Sequence, residues 1–159
     1  MATKFNARLG VSVGTTPTDI IDVDGNITAS NTTLSGTLNL QDNQLVRPLL
    51  KDYGVAHNAR GSISGSQTID LTLGNFISAT IAGTTTFTFS NPSPSSNACG
   101  FVLELTNGGS ATITWPSPNV KWPGGTAPTL TASGVDMLVF VTDDAGTTWR
   151  GVASMLDSK

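Results

Sequence analysis

Acid–base or nucleophilic chemistry needs titratable groups that can meet in one cleft, and this chain supplies few of them. It holds one histidine, His57, one cysteine, Cys99, and one glutamate, Glu104. His57 stands beside Asn58 in a polar junction, where a solvated loop side chain is a simpler reading than a base. Cys99 follows a serine-rich loop and enters an apolar run as a small hydrophobe. Gly61-Ser62-Ile63-Ser64-Gly65 puts isoleucine where a nucleophile elbow would hold its serine. Glu104 lies on the opposite face of its strand from Phe101, Leu103 and Leu105, as suits an exposed or cross-strand charge. Asp143 and Asp144 suit a hairpin tip, and Asp136 opens a strand where it can bond a neighbouring turn. None of these pairs up for glycoside hydrolysis. Asp22-Val23-Asp24-Gly25-Asn26 lacks the later ligands of a calcium loop and reads as a plain turn. The expectation is a protein that is not an enzyme, with no catalytic residue, metal or cofactor.

The aromatic residues are better candidates for binding. Trp115 and Trp149 lie in or beside strand-like runs, where tryptophan packs into a core or a subunit interface. Trp122, between Lys121 and Pro123 in a long loop, is the tryptophan expected to be most exposed. Lys121 and Trp122 are therefore the candidate contacts for a surface glycan.

These side chains need a scaffold, and composition fixes its class. Charged residues make up 12% of the chain, about half the usual share. Thr, Ser, Asn and Gly take their place, while 17 Gly and 8 Pro supply turns and helix-forming Lys, Glu, Gln and Arg are scarce. The expected fold class is all-β. A net charge of −3 with no Lys/Arg cluster excludes nucleic acid as an expected partner. The longest apolar run, 137–141, is far short of the ~20 residues of a membrane span, so no membrane partner is expected. No apolar leader follows Met1-Ala2-Thr3-Lys4-Phe5-Asn6, so synthesis in a cytosol is expected. A polar but uncharged β surface invites uncontrolled edge pairing, and burying the edges in a defined oligomer is one remedy.

Along the chain two textures alternate. Residues 1–50 carry short strand-like runs broken by small residues, with Leu34, Leu38 and Leu40 at even positions on one face. Each run is too thin to close a core, so this extended arm needs a partner surface. Residues 51–66 form a junction, entered through Pro48, where Leu49, Leu50 and Tyr53 could make a helical turn or an apolar plug. With the three arm leucines they are the candidate interface residues. From 67 to 159 strands are expected at 68–73, 76–81, 85–89, 101–106, 111–115, 136–142 and 148–153. Turns are expected at Ala82-Gly83-Thr84, Asn107-Gly108-Gly109 and 143–146, with Pro-bearing loops at 91–96 and 116–128. Regular strand spacing suggests a small antiparallel β-sandwich, jelly-roll-like.

Several runs in this half resemble a domain found in bacteriophage tail-fibre, tail-spike and minor structural proteins. They are Thr84-Thr85-Thr86-Phe87-Thr88-Phe89-Ser90-Asn91-Pro92, Phe101-Val102-Leu103-Glu104-Leu105-Thr106-Asn107-Gly108-Gly109, and Gly146-Thr147-Thr148-Trp149. Most specific is Lys121-Trp122-Pro123-Gly124-Gly125-Thr126-Ala127-Pro128. The resemblance implies a β-structured, trimeric virion module without chemistry of its own, made in a host bacterial cytoplasm. Only residues 1–50 precede the β domain, which leaves no room for a fibre shaft. A short arm with a compact outer domain suits a head decoration (cement) protein. Its expected partners are copies of itself, as a homotrimer, and the major capsid protein or another virion protein. A short tail-fibre or tail-tip protein binding a host receptor or surface glycan is the alternative.

Overall fold

A computed structural model describes residues 46–159, and the chain divides between Met1–Leu49 and Leu50–Lys159. The second unit carries every described strand. Leu34, Leu38, Leu40 and the expected arm strands lie outside the described residues. The elements are β1 (His57–Asp70), β2 (Phe76–Ser90), β3 (Cys99–Thr106), β4 (Ile113–Thr114), β5 (Val120–Lys121), β6 (Val135–Thr142) and β7 (Trp149–Ser158). Among the described residues the only helical pieces are single 3-10 turns. The unit is all-β, as composition predicts.

The seven strands form one mixed sheet in the order β1-β2-β3-β6-β7-β5, with β4 on β2. β1–β2, β2–β3, β2–β4 and β5–β7 are parallel, and only β3–β6 and β6–β7 are antiparallel. This corrects the expectation of a purely antiparallel arrangement. A period of two marks which face of a strand is apolar, and it carries no information about the direction of the neighbouring strand.

The parallel pairing forces curvature. β1 has 14 residues and would span about 43 Å if straight. Yet its end is joined to the start of β2 by only residues 71–75, which reach about 20 Å at most, and His57 pairs with Phe76. β1 must therefore curl back toward its own start. Its register slips twice against β2, between Ala59 and Ser62 and between Ile63 and Gly65. Gly61 (φ 63°) and Gly65 (φ 70°) take the left-handed conformations that the slips require. Much of the expected junction 51–66 is thus strand, and the sheet starts at His57 rather than after residue 66. The expected turn at Ala82-Gly83-Thr84 is likewise absorbed into a continuous β2.

Inside the curl, alternate residues build the core. β2 contributes Ile77, Ala79, Ile81 and Phe87, β3 Phe101, Leu103 and Leu105, and β6 Leu138 and Phe140. Phe89 meets Phe101 edge-on at 4.9 Å, and Phe101 stacks on Phe140 at 5.0 Å with Trp149 5.4 Å away. Such pairs each add about 0.5–1.5 kcal/mol beyond the area they bury.

Upstream of β1, no helical turn forms at residues 48–54, since Arg47 (φ 54°) and Asp52 (φ 55°) are left-handed. Leu49 (97% exposed), Leu50 and Tyr53 all face solvent within the described chain, so they plug nothing there.

Candidate interaction surface

The strands that close the core also present an outward face, and its residues follow from register. One row across the sheet runs Val152, Val139, Val102, Phe76 and His57. The next holds Met155, Met137, Glu104, Ser78 and Ala59. On the other side lies the row Arg150, Val141 and Gly100. Val141, Val152 and Met155 are each close to half exposed. A sheet with one face in water normally alternates apolar-in with polar-out. Here β3, β6 and β7 are apolar on both faces, and Glu104 is the one charge in the middle of the outer one. A shallow groove of about 270 Å³ crosses this face, lined by Val55, Phe76, Val102, Val139 and Val141. Gly100 keeps the face flat, because a Cβ there would lie 2.5 Å from the Phe140 carbonyl oxygen.

The loops at the rim are held by carboxylates. Asp136 is fully buried and accepts hydrogen bonds from Thr131 N at 2.6 Å, Thr131 Oγ1 at 2.7 Å and Asp157 N at 3.0 Å. Asp144 accepts from Thr148 N at 2.8 Å, which with the Thr142 hydroxyl holds its carboxyl below the usual range. Asp70 is lowered in the same way, first by the Asn91 amide and then by the Thr72 hydroxyl and N–H. These are turn anchors, the role read from sequence for Asp136 and Asp144, whereas Asp143 at the same hairpin pairs with Arg150 instead. Among the described residues no three His, Cys, Asp or Glu side chains gather as a metal site.

The sequence-derived candidates fall in different places. Lys121 is exposed on β5, but Trp122 is half-buried rather than presented on a loop tip. Its ring meets Trp115 at 5.3 Å and Phe140 at 5.5 Å, so most of it belongs to the core margin. The cause is Gly151: a Cβ there would sit 2.8 Å from Trp122 Cζ3, so only glycine admits the indole. Trp149 is buried and Trp115 stacks on Phe87 at 5.4 Å, as core packing requires. His57 lies on β1 rather than in a loop, with Nε2 2.8 Å from Ser78 Oγ. Cys99 begins β3. The outward valines and methionines were missed. Their signal was the run Met137-Leu138-Val139-Phe140-Val141, apolar at both parities, which marks a strand covered on both sides.

Comparison with protein-family models, with curated proteins and with solved structures found no match for this chain.

Proposed function

We propose that this chain is a non-enzymatic structural protein of a bacteriophage particle, a homotrimeric decoration protein that binds the outside of the head and stabilises it. The observation that carries the reading is the apolar outer face of β3, β6 and β7. A contiguous patch of half-exposed Val141, Val152 and Met155 with partly buried Val102, Val139, Met137 and Phe76 is unusual on a monomer and supports an interaction surface. In this reading the curled sheet is a sandwich-like body, and three copies turn this face toward a common axis. A stable contact of that kind buries ~800 Å² per partner. The resemblance of the C-terminal half to phage appendage modules supports the trimer and the virion setting. The low charge of the chain supports a surface covered by neighbours rather than left in solvent. The major capsid protein is the proposed second partner, with residues 1–50 and Leu34, Leu38, Leu40, Leu49, Leu50 and Tyr53 as its contacts.

The test is imaging of particles labelled on this protein, combined with heating of particles that lack it. Label spread over the head, with loss of heat resistance in the deletion, is expected. Label confined to the tail, with head stability unchanged, would move the protein to the tail-fibre class.

A further inference from the structure

Lys and Arg are few in this chain, and only Lys51, Arg60, Lys121, Arg150 and Lys159 fall in the unit Leu50–Lys159. Two of these five are neighbours. β5 pairs in parallel with β7, and the register sets Lys121 directly beside Arg150. Like charges so placed on adjacent strands destabilise a sheet. Only one acid compensates them. Arg150 Nη1 donates to Asp143 Oδ1 at 3.0 Å, an ion pair with both side chains 63% exposed. Among the described residues Lys121 has no ion-pair partner. The two cations stand over a groove of about 430 Å³ whose remaining walls are mostly apolar: Trp122, Pro123, Val141 and Val152. That volume falls within the ~300–1,000 Å³ of small-ligand clefts. The groove lies at the β5–β7 margin of the outer face, where Val141 and Val152 belong to both.

We propose that this groove binds an acidic saccharide. The carboxylate of a uronic-acid residue sits between the Lys121 ammonium and the Arg150 guanidinium, which can hold it by two parallel N–H donors. The apolar C–H face of the sugar ring lies against Trp122 and Pro123. A neutral sugar would leave the paired cations uncompensated. A bare phosphate would leave the apolar walls unused, and a nucleic-acid backbone would meet a domain in which acids outnumber bases. Asp143 then acts as a resident competitor for Arg150. The site shares Val141 and Val152 with the outer face, so it rests on the proposed trimer leaving this margin of the face uncovered, whereas binding by the isolated chain is tested without that assembly.

The test titrates the full chain with trigalacturonate and with its methyl ester, followed by calorimetry, for the wild type and three variants. Lys121→Ala and Arg150→Ala are each expected to weaken binding at least roughly tenfold, the loss of that cation's charge-assisted hydrogen bonding to the carboxylate. Asp143→Asn is expected to tighten binding about two- to threefold by freeing Arg150 from an exposed ion pair. The ester should bind at least as poorly as the alanine variants, and near-ultraviolet circular dichroism should show all variants folded. Equal affinity for acid and ester would overturn the proposal. So would absence of saturable binding by the wild type, or indifference to both alanine substitutions.

Discussion

Asp136 has no exposed surface, and each of its hydrogen bonds reaches to another part of the chain. Through Thr131 it fixes the loop ahead of β6, and through the Asp157 N–H it fixes the end of β7. The loop it steadies is also tied to the turn after β3, since Gly109 N donates to Thr131 O at 2.9 Å and Asn107 N to Gly134 O at 2.8 Å. Asp136→Ala would leave two backbone N–H groups without their acceptor, and charged acceptors contribute most among hydrogen bonds. The expected loss is about 3 kcal/mol of unfolding free energy, measured by urea denaturation. A loss within a few tenths of a kcal/mol of zero would show that water replaces the carboxylate. Sequence named this role for Asp136 because an aspartate opening a strand has a turn within reach. It misplaced Trp122, because the space made by the absent side chain of Gly151 comes from a strand nearly thirty positions away.

At the level of elements, curvature in β1 decides the topology. A strand that has to return to its own start needs residues that accept positive φ, and Gly61 and Gly65 both do so with open space around their Cα atoms. Alanine at either position therefore meets no clash and costs only backbone strain. Gly65→Ala should destabilise the fold by about 1 kcal/mol, and the double substitution by about twice that. Thermal melting of both variants checks this. An unchanged melting temperature in the double variant would mean that β1 curls by other means. Strand positions near Phe87, Phe101 and Phe140 were legible because inward residues alternate there with a period of two. The parallel partners were not legible. Gly61 and Gly65, placed in the junction by the sequence reading, lie at bulges in a curled strand, and that depends on a pairing formed with β2.

For the molecule as a whole, the inward face and the outward face of β6 pose different questions. Leu138 and Phe140 are covered by the rest of the unit, so folding accounts for them. Val139 and Val141 are not fully covered, and folding alone gives no reason for valine there. Val102, Val152 and Met155 continue the same pattern across neighbouring strands. Glu104 already puts one charge on this face, opposite Met137; a second, at Val139, would cost little in an isolated unit, where the position meets water, but much more where a neighbour excludes water. The all-β class was visible in composition. The proposed neighbour was expected from the low charge, whereas the outer face was marked in the sequence by a run apolar at both parities, and it took the register to show that the run belongs to a continuous surface.

Sedimentation equilibrium of the full chain, beside its Val139→Glu variant, tests that need directly. The wild type is expected at about three times the 16.4 kDa chain mass. The variant is expected as a folded monomer with the far-ultraviolet spectrum of the wild type. A wild type that stays monomeric at tens of micromolar, or a variant that assembles as well as its parent, would contradict the account.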